Sequence, residues 1–142
     1  VLIFKDPERY TLEFLQWRYG EPPGLAYHAV TVERDGELAG VAIGRIKQRG
    51  GLREFTLDDV ICRDGDRRSA WRALRAAARL DVDHVAMHAA PATPAAPVRR
   101  TAGYFQVPRG GMRLVAKPLA PMTPDPMGFA SWRLSLGDLE VF

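Results

Sequence analysis

A chain of 142 residues, 46% hydrophobic and 26% charged, is long enough for one buried core and has the balance of a single globular domain. A formal net charge of +3 is too mild to require a polyanionic partner, and the absence of an 18-residue apolar run excludes a membrane-spanning helix. One cysteine, Cys62, excludes an internal disulfide and a cysteine-based zinc site, and fits a reducing, cytoplasmic setting.

Taken in chain order, "VLIF" (Val1–Phe4) reads as a short strand and "PERYTLEFLQWRYG" as a helix. Asp6 is the expected N-cap, Pro7 the first helical residue and Gly20 the end. "LAYHAVTVERDGELAGVAIGRIKQRGG" is two β-rich runs about the turn pair Asp35-Gly36, with Ala39, Val41 and Ile43 facing one way and Gly50-Gly51 closing the second strand. "LREFTLDDVIC" is a third strand, which completes an antiparallel meander. Strict alternation along it puts Phe55, Leu57, Asp59 and Ile61 on one face and Asp58 and Val60 on the other. "RRSAWRALRAAARL" is a helix. Trp71, Leu74 and Ala78 share a side expected to pack under the sheet, while Arg68, Arg72, Arg75 and Arg79 form a solvated stripe. "DHVAMHAA" is a buried strand, and strand–helix–strand order implies a parallel pair. "PATPAAPVRRTAGYF" is expected to hold a short helix. "QVPRGGMRLVAKPL" reads as a last hairpin turning at Gly110-Gly111, and "APMTPDPMGF" as an extended stretch. "ASWRLSLGDLEVF" closes the chain as a strand or docked tail. The fold expected is α/β (α+β), a mixed sheet with an antiparallel N-terminal meander, a central parallel βαβ unit and a C-terminal hairpin. It spans residues 1–142 as one domain.

From Ala26 to Leu119 this order resembles the GNAT (GCN5-related N-acetyltransferase) family. The flanking "FLQWRYGEPP" and "WRLSLGDLEVF" are similar to GNAT-like domains of polysaccharide-biosynthesis and cell-envelope acyltransferases. Such domains often occur in tandem, and the chain begins at Val1 rather than Met, so it is expected to be the C-terminal part of a longer tandem protein. The resemblance implies that the strand before the long helix parts from its parallel neighbour and admits the pantetheine arm of acetyl-CoA (acyl-CoA), whose pyrophosphate sits over the helix start. Carried over, Val60, Ile61 and Cys62 line the pantetheine strand, and Gly65, Arg67 and Arg68 the pyrophosphate turn. Asp59 becomes the carboxylate that takes the proton of the acceptor amine. The family turn, Arg or Gln, two residues, Gly, one residue, Gly or Ala, is met here by Arg63 but has Asp66 and Arg68 at its two small positions. The family's tyrosine acid has no counterpart, since its position falls near Arg99 or Arg100; Tyr104 is expected as a core aromatic.

Two readings stay open. One is an acyl-CoA-dependent N-acyltransferase acting on a small-molecule amine, an amino sugar or cell-envelope precursor by resemblance. The other is a catalytically inactive GNAT-fold module that serves a tandem domain or a homodimer. Nucleic-acid binding through the arginine stripe is a weaker third, lacking an aromatic–basic motif. Cys62 is expected as a small packed side chain rather than a nucleophile. His84 and His88, four apart on a strand, lack a third ligand for zinc. Trp17 and Trp132 are expected to pack or to line an acceptor groove.

Overall fold

The computed structural model describes residues 10–63, 65–108, 120, 121, 128, 132 and 134–139. The expected strand Val1–Phe4, the Asp6–Pro7 cap and the hairpin about Gly110-Gly111 lie outside the described residues, as do Asp64 and most of the proline-rich stretch. The first described helix, α1, covers Leu12–Leu15. Its cap is Thr11, whose hydroxyl accepts from the Phe14 N–H at 3.1 Å. The helix then widens into a π-helical turn over Gln16–Gly20 and ends at the expected glycine. Neither piece has a buried residue, so polar contacts fasten this segment more than apolar packing does.

Strands β1 (His28–Arg34), β2 (Glu37–Arg49) and β3 (Leu52–Cys62) form the expected meander. Both connections are two-residue turns with positive φ at each central position: Asp35 at 56° and Gly36 at 81°, then Gly50 at 59° and Gly51 at 86°. That is the hairpin turn whose twist matches the strands, and it requires residues tolerant of the left-handed region. After β3, helix α2 (Arg67–Ala77) leads to β4 (His84–Met87), which pairs parallel to β3. The sheet is therefore mixed and open, with order β1-β2-β3-β4, in an α+β arrangement. A last short helix, α3, covers Leu136–Leu139. Among the described residues no helix is long and apolar enough to cross a membrane.

One irregularity decides what the sheet faces carry. Ile43 lies opposite Asp59, and Gly44 opposite Leu57, so Asp58 is an extra residue bulged out of β3. A bulge resets the two-residue alternation. Phe55, Leu57 and, beyond the bulge, Val60 all join the core under α2, with Val32 and Ala42 from the sheet and Ala70, Ala73, Leu74 and Ala77 from the helix. The expected grouping of Asp59 with Phe55 and Leu57 is thus corrected: Asp59 bonds to Tyr10 and Tyr19 of the N-terminal segment instead. Gly44 stands opposite the bulge because a Cβ there would lie 2.7 Å from Cζ of the Phe55 ring and against the Thr56 carbonyl.

Helix α2 packs through small residues, which brings its axis close to the sheet. Trp71, expected under the sheet, is 38% exposed, and Ala78 is exposed beyond the helix end. The alanine face leaves no depth for an indole. Residues 91–103 form successive turns rather than a helix, since Pro91, Pro94 and Pro97 donate no backbone hydrogen bond. Tyr104 packs against the core as expected. Its hydroxyl donates to the Leu74 carbonyl at 2.9 Å, and burial pushes its pKa up to about 12.

Candidate functional site at the divergence of β3 and β4

The parallel pair is short. Glu54, Phe55, Thr56 and Leu57 face His84, Val85, Ala86 and Met87, and among the described residues no strand pairs with β3 on that side beyond Leu57. Five further residues of β3, Asp58 to Cys62, continue past the end of β4. The start of the pair is clamped by Glu54, which accepts from His84 Nε2 at 2.9 Å, Thr56 Oγ1 at 2.9 Å and Arg49 Nε at 3.1 Å. Burial raises the Glu54 pKa, but hydrogen bonds from His84, Thr56 and Arg49 outweigh it and hold the carboxyl below its ordinary value.

At the divergence the chain places two carboxylates on the face away from α2. Asp59 is 4% exposed. Its oxygens accept from Tyr10 Oη at 3.1 Å and from Tyr19 Oη in a short contact. Burial raises its pKa; hydrogen bonding with Ser135, Tyr19 and Tyr10 pulls the other way. Burial, then the Asp59 charge, pushes the Tyr19 phenol well above its ordinary range, so Tyr19 stays a donor. Beside this pair the Arg18 guanidinium donates to the Gly137 carbonyl (3.2 Å from Nε) and to Tyr27 Oη at 3.1 Å. The Tyr19 and Tyr27 rings meet edge to face at 4.9 Å. Gly137 lies so close that a Cβ would fall 2.8 Å from Asp59 Oδ2. Asp59 therefore joins the N-terminal turn, the sheet and the C-terminal segment at one point.

Asp58 differs. It is 1% exposed, and neither of its oxygens has a hydrogen-bond partner among the described residues. Burial pushes its pKa up to about 6, against the pull of Lys47, Arg45 and Arg18. It lines a crevice of about 10 Å³ with Leu57, Asp59, Met87, His88, Thr93 and Ser135. That is room for one water-sized group.

At the other end of the β3 extension, Asp66 caps α2. Its carboxylate accepts from the Ser69 N–H at 3.0 Å and from Ser69 Oγ at 2.7 Å, and pairs with Arg34 at 3.2 Å. The Ser69 backbone and hydroxyl bonds hold the Asp66 pKa below its ordinary value. A protein carboxylate thus takes one of the N–H groups that a helix start offers an anion. Gly65, with φ 76°, makes the turn, and Arg67 and Arg68 stand exposed beside it.

Of the residues named from sequence, Asp59, Val60, Ile61 and Cys62 lie on the extension and Gly65, Arg67 and Arg68 at the turn. Val60, expected beside a cofactor, is 8% exposed and its side chain is in the α2 core. Ile61 and Cys62 line a wider cleft of about 350 Å³ at the tip of the β1–β2 hairpin, with Arg34, Leu38, Val41 and Arg63. The Cys62 thiol is half-buried and donates to the Asp66 carbonyl at 3.7 Å. Sequence reasoning passed over Asp58, Tyr10, Arg18, Tyr19, Ser135 and Gly137. Only Asp58 had a signal, since a glycine inside a strand, Gly44, marks a bulge. Among the described residues no cluster of three or more His, Cys, Asp or Glu side chains suits a metal. Trp17 is 62% exposed. Comparison of the chain with family models, with curated proteins and with solved structures returns no match in any of the three.

Proposed function

We propose that the protein is an acyl-CoA-dependent N-acyltransferase of GNAT type, and the observation that carries this reading is the early end of the β3–β4 pairing. Past Leu57 and Met87 the extension Asp58–Cys62 has a strand partner on its β2 side alone among the described residues. Backbone N–H and C=O groups on the other side suit the amides of a pantetheine arm, which would pair as a peptide does. A thioester laid there has N–H donors for its carbonyl oxygen as negative charge grows on it. Arg67 and Arg68 stand where the pyrophosphate of acetyl-CoA would arrive, and arginine supplies the fork geometry for phosphate. In this reading Asp59, whose oxygens Tyr10 and Tyr19 occupy, holds the N-terminal turn and the C-terminal segment against the site. Most of the rate gain comes from holding thioester and amine together. The GNAT assignment, the cytoplasmic setting and the tandem or dimeric partner belong to the same proposal.

A second reading, the inactive GNAT-fold module, is favoured by Asp66. Its carboxylate sits on the α2 start, opposing a pyrophosphate, and the crevice at the divergence holds only about 10 Å³. Acetyl-CoA separates the two. At a hundredfold excess over Kd, bound ligand stabilises a protein by about 2.7 kcal/mol, which raises Tm by several degrees. That rise is the expected result. A flat Tm at millimolar acetyl-CoA would reject the transferase and leave the inactive module.

A further inference from the structure

We propose that the outer face of α2 binds single-stranded nucleic acid, with arginines on its phosphates and exposed aromatic rings against its bases. The mild net charge of the chain hides an uneven distribution. Between Arg67 and Pro108 stand seven arginines and two carboxylates, whereas the rest of the chain has thirteen basic residues against fifteen acidic. Both carboxylates of that stretch are turned to Arg53 of β3. Asp81 pairs with its guanidinium at 2.9 Å, and Asp83 accepts from its backbone N–H at 2.6 Å. Asp66, at the helix start, is held by Ser69 and Arg34. Among the described residues no carboxylate pairs with Arg68, Arg72, Arg75 or Arg79.

Packing decides which way these side chains face. Helix α2 buries Ser69, Ala70, Ala73, Leu74 and Ala77. At about 100° per residue the opposite arc has Arg68, Arg75 and, just past the helix end, Arg79 at its middle, with Trp71 and Arg72 on its flanks. The row from Arg68 to Arg79 is about 16 Å long. The indole of Trp71, 38% exposed, therefore lies among the arginines. A second ring joins it. Tyr104 Oη is bonded to the Leu74 carbonyl, and Arg75 Nη1 lies 3.6 Å from the place of a Gly103 Cβ. The chain thus leaves the core beside α2 at Phe105, which is 86% exposed. The aromatic–basic motif absent from the linear pattern is assembled by the fold.

A guanidinium grips phosphate as a fork, and a planar ring stacks on any base. A lipid surface fits less well, because the apolar side of α2 is buried against the sheet and no apolar face is left to enter a bilayer. A duplex keeps its base faces stacked inside, so the two rings would gain nothing from it. The proposal stands independently of the transferase reading, which shares only Arg68 with it.

The test titrates the whole chain into fluorescein-labelled oligo(dT) and oligo(U) at several salt concentrations and follows the anisotropy. Duplex DNA of mixed sequence and polyglutamate serve as controls. Either single strand should bind, with a Kd that rises steeply with salt. Arg72→Gln together with Arg79→Gln should lower the slope of log Kd against log salt by about 1.4, since each phosphate contact on a single strand contributes about 0.7. Trp71→Ala should weaken binding about tenfold at an unchanged slope, and Trp71→Phe, which keeps a ring, should restore most of it. Absence of binding to both strands at about 50 mM salt would overturn the proposal. Duplex bound as tightly as single strand would overturn it too, since it would report backbone charge alone. Polyglutamate bound in competition with equal affinity for the acidic-peptide control and the strands' absence would make charge of another kind the determinant and reject it. Trp71→Ala binding like the parent would remove the stacking, and with it the single-strand assignment.

Discussion

Asp58 and Asp59 are the same residue type on the same strand, 1% and 4% exposed, yet they load the fold in opposite ways. Asp59 is the acceptor for two tyrosine hydroxyls, so Asp59→Ala would strand two half-buried donors and cost about 1–3 kcal/mol. Asp58 has no hydrogen bond to lose among the described residues, and Asp58→Asn removes a buried charge while keeping the shape. Urea unfolding at pH 7 should therefore place Asp59→Ala well below the parent protein and Asp58→Asn level with it or above. Reversal of that order would reject the assignment of roles. The adjacency of two aspartates within a strand was legible in the sequence as a departure from strand propensity. Which of them is bonded was not, because the donors, Tyr10 and Tyr19, come from a segment about forty to fifty positions earlier.

At the scale of elements, turn chemistry was local enough to read. Asp35-Gly36 and Gly50-Gly51 sit where φ is positive, and the strand–helix–strand order produced a parallel pair. The failures were those of packing. Trp71 looked like a core residue by period, but the sheet accepts the alanine face of α2 and leaves the indole 38% exposed. The bulge at Asp58 moved Val60 into the core and Asp59 out of it, an effect that a strict period of two cannot express. The α2 start offers a direct trial of the pyrophosphate seat. Asp66→Gly removes the carboxylate from the Ser69 N–H and brings the turn closer to the family pattern. It should lower the Tm of the free protein, through the lost cap, and tighten acetyl-CoA binding several-fold. Unchanged affinity, measured by calorimetry, would place the phosphates elsewhere.

For the molecule as a whole, the buried carboxyls predict an unusual pH profile. Glu54 is held below its ordinary 4.5, so the stability it contributes is present above that value and fades as pH falls through its folded pKa. Asp58 is raised from 3.8 to about 6, so its contribution is complete below 3.8 and is lost as pH rises through 6. A displacement of about two units corresponds to about 3 kcal/mol. The Tm should accordingly peak near pH 5, and Asp58→Asn should flatten the fall between pH 5 and 7. A profile rising steadily to pH 7 in both proteins would contradict the burial of Asp58. The sequence by itself determined the meander, its two hairpin turns, the bounds of α2 to within three residues and the parallel crossover, because these follow from periodicity and from residues that act on their immediate neighbours. Only the tertiary structure decided where β3 leaves β4, which aspartate keeps bare oxygens, and what occupies the helix start. Those outcomes depend on a strand bulge, on close approaches at Gly44 and Gly137, and on hydroxyls from distant segments, and such contacts leave no period in the chain.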